Sequence, residues 1–250
     1  MNTMMWRPSP KFILRRDAIR VLTRKWQPGK FLEIGAGTGT LTKLFLQSGF
    51  KGVCWDVTAE NRNILRANLT QFCDRIDIPE QLPTPPEREF DYLFAFEVLE
   101  HIEYDQDALL EWTTRLQKGG RILLSVPAHQ NKFSSEDEYV GHFRRYEKKD
   151  LASLLHRCGF HDIKIINYGF PLGNITGLLS RSLSLSGKDR ANLDNDARST
   201  KSGVSRSKSI RIVGPFCNDL TLFPFRLIQR PFFRFDIGDG YIAMATFTKT

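Results

Sequence analysis

The sequence predicts an α/β fold with a seven-stranded, mostly parallel sheet, helices on both faces and an antiparallel last strand. Short apolar segments of strand length alternate with longer segments in which apolar residues recur at helical spacing. A glycine-rich turn at residues 35–39 follows the first of these strands. Residues 90–96 are apolar except for one aspartate, which is typical of a central strand covered on both faces.

The first half of the chain is expected to begin with a helix and then to alternate strands with helices. Pro28-Gly29 ends the first helix, and Gly49 ends the second. Leu65 and Leu69 belong to the inward face of the third helix. The predicted helices are 11–26, 40–47 and 59–69, and the predicted strands are 31–34, 53–57, 75–78 and 90–96.

The second half adds two helices and three strands. Gly119-Gly120 closes the fourth helix, and Pro127 ends the strand after it. The fifth helix has leucines on one face and Gly159 as its C-terminal stop. The predicted helices are 107–117 and 147–158, and the predicted strands are 121–126, 163–167 and 241–247. Because ligands of such sheets bind at the carboxyl ends of the strands, we expect a site there.

Length and composition predict one domain. The chain has 250 residues, of which 41% are hydrophobic, so residues 1–250 can share one core, with 1–27 as an N-terminal helical cap. No apolar run approaches the roughly 18 residues of a membrane-spanning helix. Since the N-terminus also lacks the apolar core of a signal peptide, the sequence predicts a cytoplasmic protein.

The net charge of +8 is concentrated in one segment. From Arg181 to Arg211 there are eight Lys/Arg and three Asp, which gives +5 and leaves +3 for the rest of the chain. This segment is rich in Ser and poor in aromatic residues, so we predict a mobile basic insertion at about 182–209. A solvated loop and a segment attracted to phosphate or anionic lipid both remain open as its role.

The cysteines and histidines do not form a familiar metal-ligand spacing. The four cysteines stand at 54, 73, 158 and 217, with no Cys-x-x-Cys pair, and the five histidines are equally scattered. This pattern predicts reduced thiols and no bound metal.

The glycine-rich turn belongs to a longer pattern. Residues 32–39 read LEIGAGTG, and Asp56 follows 17 residues after Gly39. Glycine permits positive φ and a close ligand approach, and an acid after the second strand can accept hydrogen bonds from both ribose hydroxyls. The dinucleotide fingerprint needs a sixth-position glycine, where Thr40 stands. With Glu33 before the glycines, the pattern resembles motif I of class I S-adenosylmethionine (SAM) methyltransferases; an ordinary strand–helix turn is the alternative.

Three later segments resemble the same family in the same order. After FDY at 90–92, residues 96–102 read FEVLEHI, similar to the family's segment after strand four. Residues 116–127 read LQKGGRILLSVP, with Lys118 where proline is common in the family. Residues 141–146 read GHFRRY, similar to the UbiG-like branch of small-molecule methyltransferases. The resemblance covers about residues 30–170, resumes near 238–248, and implies a Rossmann-like sheet.

The resemblance also implies which residues bind SAM, with S-adenosylhomocysteine as the product. Glu33 and the glycine turn would hold the amino-acid part of SAM, and Asp56 would hold its ribose. Residues 57 and 77–78 would surround the adenine. The implied cofactor residues are Glu33, Gly35, Ala36, Gly37, Gly39, Asp56, Val57, Asp77, Ile78, Phe96 and Glu97. The last two would lie under the sulfonium, although plain core packing is the alternative for Phe96.

Three histidines are candidates for the catalytic base, because an oxygen nucleophile benefits from a base of near-neutral pKa. They are His101, His129 and His142, each on a segment at the predicted ligand-binding edge. His101 is favoured by its place just after strand four; a histidine that binds its own helix start is the alternative. His142 and the arginines at 144–145 are candidates to bind an anionic or hydroxyl-bearing acceptor, or those arginines pair with the acids at 136–138.

The acceptor is predicted to be a small molecule methylated at oxygen, and the oligomeric state is left open. Residues 169–179 and 215–235 are apolar with interleaved arginines. They are interpreted as a lid over a hydrophobic substrate, a peripheral membrane contact, or a cover for the sheet edge. Trp6 and the first helix are expected to close over the cofactor. The alternatives are an RNA methyltransferase, although no RNA-binding module is recognisable, and a non-catalytic SAM-binding scaffold.

Overall fold

The computed structural model describes residues 8–82, 89–175 and 218–248. Its strands are β1 (Lys30–Ile34), β2 (Lys51–Trp55), β3 (Ile76–Asp77), β4 (Phe90–Phe96), β5 (Leu116–Pro127), β6 (Phe160–Tyr168) and β7 (Gly240–Phe247). Its α-helices include α1 (Pro10–Thr23), α2 (Thr42–Gln47), α3 (Ala59–Leu69), α4 (Asp105–Thr113), α5 (Ser135–Tyr139), α6 (Lys148–Arg157) and α7 (Phe223–Ile228).

The strands form one seven-stranded sheet in the order β3-β2-β1-β4-β5-β7-β6. The pairs from β3 to β5 are parallel, whereas β7 is antiparallel to both β5 and β6. The predicted fold class, with its antiparallel last strand, is confirmed. The chain order reverses between β1 and β4, which is the point where ligands of such sheets bind.

The core forms on both faces of the sheet because alternate residues of each strand point to opposite sides. In β4, Leu93 and Ala95 join one buried cluster with α4 and α6, while Phe94 and Phe96 join the other with α1, α2 and α3. Covering both faces explains why β4 contains so little polar sequence.

Some predicted boundaries were wrong. The helix predicted to run to 117 ends at Thr113, and β5 begins at Leu116 instead of 121. Leu116 is fully buried and pairs with Phe90 across a register irregularity. This strand pairing determines the conformation of residues 116–120, although the sequence up to 117 has helical spacing. The first helix stops at Thr23, β2 ends at Trp55, and β3 has only two residues. Asp56 therefore comes directly after β2. The short helices α5 and α7 were not predicted.

The cap is anchored by α1. Ser9 accepts a hydrogen bond from the backbone N–H of Phe12 at 3.2 Å and so caps the helix N-terminus. On the buried face, Asp17 accepts hydrogen bonds from Arg226 and Arg230, each at 3.0 Å, which tie α1 to α7 and the turn that follows it. Among the helices of the described residues, none has the length and apolar character needed to cross a membrane. The insertion predicted at 182–209, with Trp6 and Cys217, lies outside the described residues.

Candidate active site

Three glycines in the turn after β1 have a positive φ, but only one leaves open space. The φ angles are +66° at Gly35, +53° at Gly37 and +71° at Gly39. A Cβ on Gly35 would lie 2.5 Å from Val98, and one on Gly39 would lie 2.9 Å from Leu65. A Cβ on Gly37 would meet nothing within 4 Å. The outer glycines therefore permit tight packing, while Gly37 borders a space that a ligand can enter.

Asp56 supports the same turn. Its Oδ2 accepts a hydrogen bond from the backbone N–H of Gly37 at 2.9 Å. Its Oδ1 accepts from the Asn61 side chain at 2.9 Å and from the backbone of Thr58 at 3.3 Å. A carboxylate offers about four lone-pair sites, and these three hydrogen bonds use three of them. One lone pair of Asp56 therefore remains available to a ligand. The buried carboxylate thus orients the glycine turn, a role that the sequence did not indicate.

Arg62 holds the segment around Asp56 in place. Its Nη1 donates to the carbonyl oxygens of Asp56 at 2.8 Å and Val57 at 2.9 Å. Its guanidinium also forms an ion pair with Glu80 at 3.0 Å. The Val57 side chain is 53% exposed, although it is apolar and follows a buried strand. Its surface is available to an apolar ligand group.

The predicted adenine residues lie beyond Val57 on the neighbouring strand. Asp77 belongs to β3 and pairs with Val53 of β2, which brings β3 beside the segment that carries Asp56. Asp77 is exposed, and Ile78 is half-buried against the core.

Glu33 is a buried acid beneath the turn. Its carboxylate accepts a hydrogen bond from the Thr42 hydroxyl at 2.7 Å, and the Cys54 thiol lies 3.7 Å away. Burial raises the pKa of Glu33 to about 7, although the hydrogen bonds from Thr42 and Cys54 act in the opposite direction. A cationic group near Glu33 would favour its ionised form.

Phe96 and Glu97 lie at the end of β4 with very different surroundings. Phe96 is buried and stacks in the core with Phe94 and Phe45, at centroid distances of 6.0 and 6.4 Å. Glu97 has a φ of +55°, which is uncommon for a residue with a side chain and marks local strain. Its carboxylate accepts a hydrogen bond from Ser125 at 3.1 Å.

Glu97 is also the ion-pair partner of helix α1. Arg15 lies 3.0 Å and Lys11 3.5 Å from its carboxylate oxygens. Burial disfavours the ionised form, but Lys11 and Arg15 hold the pKa of Glu97 well below its usual range. The cap therefore closes on the end of β4 through two charged side chains. Lys11 also contacts Asp239 at 3.4 Å.

His101 and His142 are brought together. Their rings form an edge-to-face contact with centroids 4.6 Å apart. His142 Nδ1 lies 2.9 Å from Asp137 Oδ1, and its Nε2 lies 3.9 Å from Glu100 Oε1. Burial and the neighbouring His142 lower the pKa of His101 to about 4, although a hydrogen bond to the Gly141 backbone opposes this. His101 is therefore neutral at pH 7.

His129 has a separate set of partners. Its nitrogens lie 3.8 Å from Glu147 and 3.7 Å from Asp236, and its ring packs edge-on against Tyr241. Its backbone has a φ of +67°. His142 pairs instead with Asp137 and Glu100, and the His101 ring packs on His142, so the three histidines do not share one cluster.

The arginines of the GHFRRY segment are paired with acids. Arg145 contacts Asp137 at 3.0 Å, and Arg144 contacts Asp105 at 2.8 Å. The interpretation that these arginines pair with the acids at 136–138 is supported for Arg145, whose partner is Asp137. Arg144 uses an acid of α4 instead of the acids at 136–138.

Glu100, His101 and His142 also form a group that sequence spacing did not indicate. Each offers one atom suited to a metal ion, and these atoms all lie within 4.8 Å of one another. The sequence expectation of no metal was based on local spacing, whereas His142 comes from a loop after β5. The sequence also missed Lys11 and Arg15, whose partner Glu97 is distant along the chain, and it did not indicate the contacts of Arg62 or the contact between Asp137 and His142.

The chain is similar to proteins of one family. A profile described as "Methyltransferase domain" matches residues 11–165. A mitochondrial ubiquinone biosynthesis O-methyltransferase of Candida albicans is 33% identical over 110 residues, covering 38% of this chain and 31% of that protein. YcgJ from Bacillus subtilis superposes with a TM-score of 0.60 at 13% identity, covering 94% and 99% of the two chains.

A second solved structure superposes with a TM-score of 0.56 at 14% identity, covering 96% of this chain and 80% of the other. It is the 1,6-didemethyltoxoflavin-N1-methyltransferase of Burkholderia thailandensis, with its substrate and S-adenosylhomocysteine bound. The chain belongs to the methyltransferase-domain family. Its sheet order and glycine turn are those of a class I SAM-dependent methyltransferase, and SAM is the cofactor of that class.

Proposed function

We propose that this chain transfers the methyl group of SAM to the oxygen of a small-molecule acceptor. The observation that carries the proposal is the geometry at the carboxyl ends of β1, β2 and β4. An open glycine turn and Asp56 occupy one side, and Glu97 leads into the His101–His142 pair on the other. SAM supplies an electrophilic methyl group, so the protein has to align the acceptor and exclude water.

The cofactor half of the site is proposed to use the residues around the glycine turn. The space beside Gly37 accepts the amino-acid part of SAM, and Glu33 lies beneath that space as a partner for the amino group. Asp56 holds the ribose, with Val57 and Ile78 beside the adenine and Asp77 near its amine. Residues 96–97 lie below the sulfonium. Because the Phe96 side chain is buried, it would shape the bottom of the cofactor pocket without contacting SAM through an exposed surface.

The acceptor half is proposed to use His101 and His142. Both act on the acceptor hydroxyl, and Asp137 and Arg145 hold His142 in position. His129 is the third candidate, at the mouth of the site beside Glu147. Exposed apolar side chains on and near α7 support a hydrophobic acceptor or a membrane surface as partner; they are Leu220, Phe223, Leu227, Ile228 and Phe235.

Replacing Asp56 with alanine should weaken SAM binding at least about tenfold. Ribose hydroxyls left without a partner in a closed site cost on the order of 1–3 kcal/mol, and the Gly37 turn loses its anchor as well. Calorimetric titration with SAM measures the effect, with Asp74→Ala as an exposed control. Unchanged affinity in the Asp56 variant, with normal thermal unfolding, would remove Asp56 from the cofactor site.

Methyl transfer should be assayed with labelled SAM and a panel of acceptors. The panel contains phenols and catechols, matched amines, and bulk transfer RNA, each with and without anionic phospholipid vesicles. Label on the phenols supports the proposal, and a gain with vesicles supports a membrane-associated acceptor. Label on RNA alone would favour the nucleic-acid alternative, and tight SAM binding without transfer to any acceptor would favour a scaffold.

A further inference from the structure

The carboxylate of Glu100 is fully buried without a hydrogen-bonded partner. Glu100 is 0% exposed, and neither of its oxygens has a partner among residues 8–82, 89–175 and 218–248. Buried polar groups are almost always hydrogen-bonded, so a buried carboxyl group with two unpartnered oxygens is uncommon and costly. Glu97, three residues earlier, has Lys11 and Arg15 as counter-charges. Glu100 lacks the cation that its neighbour has.

The proton on His142 is on the side away from Glu100. Asp137 Oδ1 accepts a hydrogen bond from Arg145 Nε at 3.0 Å, and its Oδ2 accepts one from the Ser134 backbone N–H at 2.9 Å. Because the Asp137 carboxylate acts as an acceptor toward both groups, His142 Nδ1 carries the proton toward it, at 2.9 Å. His142 Nε2 then presents a lone pair to Glu100 Oε1, 3.9 Å away. An imidazole lone pair and a carboxyl oxygen therefore face each other across a gap too wide for a hydrogen bond.

His101 also has an unsatisfied ring nitrogen. Its Nδ1 is buried and has no hydrogen-bond partner within the described part of the chain. One ligand atom from each of Glu100, His101 and His142 lies within 4.8 Å of the other two. Ligands at about 2.1 Å from one cation are roughly 3–4 Å apart, so a shift of less than about an ångström brings all three into range.

We propose that Glu100, His101 and His142 bind one divalent transition-metal cation. Two imidazoles and one carboxylate form a donor set that holds Zn²⁺, Mn²⁺ or Fe²⁺ and leaves further coordination positions open. Asp137 is the outer partner that orients His142, as carboxylates do behind metal-bound histidines. The cation supplies the positive charge that Glu100 lacks and occupies the gap between the imidazole lone pair and the carboxyl oxygen.

The cation explains how the histidines act on the acceptor. An acceptor hydroxyl bound at an open coordination position would have a lowered pKa, so it would release its proton to bulk water before its oxygen takes the methyl group. His101 then acts as a ligand and not as the general base. This consequence rests on the proposed function, whereas the cation site itself does not.

Metal binding should be measured on chelator-treated protein without SAM. Titration with Zn²⁺, and separately with Mn²⁺, should show one site with a Kd at or below the order of micromolar for Zn²⁺. Glu100→Gln keeps the side-chain shape and removes the charge, and we expect it to weaken binding by at least about 100-fold. Asp137→Asn should weaken binding by about 10–100-fold, because it removes the orientation of His142 but no ligand.

A matched control is available on the surface. His156 and His161 also form an edge-to-face pair, with centroids 5.4 Å apart, but among the described residues they belong to no cluster of three metal-ligating side chains. His156→Ala should leave the high-affinity site unchanged. Wild-type protein that binds neither metal, or Glu100→Gln that binds as tightly as wild type, would overturn the proposal. If the Glu100 variant fails to fold, His142→Ala replaces it in the test, because His142 is partly exposed. Metal binding by His142→Ala as tight as that of the wild type would then overturn the proposal.

SAM titration of the same samples separates the two proposals. If the Glu100→Gln variant binds SAM as tightly as the wild type but no longer binds the metal, the cation site is supported and the fold of the variant is shown to be intact. Wild-type protein that binds Zn²⁺ but not SAM would end the proposed function and leave the cation site standing.

Discussion

Replacing Gly37 with valine should abolish SAM binding. The φ of +53° at Gly37 is unfavourable for a β-branched residue. The structure adds a second reason, because a Cβ at this position points into space with no protein atom within 4 Å. The new side chain would therefore fill the space in which the amino-acid part of SAM is proposed to lie. We expect no shift of the unfolding temperature at SAM concentrations that stabilise the wild type.

Gly119→Val is the matched control for this prediction. Gly119 also has a positive φ, +81°, and also has nothing within 4 Å of an added Cβ, but it lies in β5. Both variants carry backbone strain, so both should be somewhat less stable. Only the Gly37 variant should lose SAM binding. If the two variants bind SAM alike, the open space at Gly37 is not the cofactor site.

The His142→Ala and His101→Ala variants should each transfer the methyl group at least about 100-fold more slowly than the wild type in a single turnover. Activating a hydroxyl is typically worth 10²–10⁴-fold in rate, and these two rings share one cluster beside Glu97. SAM affinity should change little, because the partners that hold His142 are Asp137, Glu100 and His101, which are not among the proposed cofactor residues. Rapid-quench measurement with saturating SAM gives the rate without product release.

His129→Ala tests the ranking. Because its partners are Glu147 and Asp236, we expect a loss of less than about tenfold, mainly in the KM for the acceptor. A dominant effect at His129 would move the acceptor to the loop after β5 and contradict the proposed site. Equal, small effects at all three histidines would indicate an acceptor that needs no activation.

Much of the fold follows from local patterns in the chain. The limits of β4 and α3 were predicted without error, because a fully covered strand and an amphipathic helix leave strong periodic signals. The boundary between α4 and β5 was wrong, because Leu116 is buried by pairing with Phe90, 26 positions earlier. Two short helices were also missed, since too few turns repeat in them.

The candidate site divides in the same way. The glycine turn, Asp56 and the residues after β4 are contiguous motifs, so the sequence indicated both their chemistry and their place at the sheet edge. It did not indicate that Asp56 anchors Gly37, that Arg62 holds the next segment, or that α1 neutralises Glu97. Each of these contacts joins a side chain to a group in another element or turn of the fold.

The sequence by itself determined the fold class, the family and the position of the cofactor turn, because these depend on the order of residues along the chain. Only the tertiary structure decided which charges are paired. Glu97 and Glu100 are three residues apart in one motif, yet one meets Lys11 and Arg15 while the other meets His142 and no cationic partner within hydrogen-bonding distance among the described residues. The environment of a buried charge is set by elements that fold against it, and their approach is not encoded in local spacing.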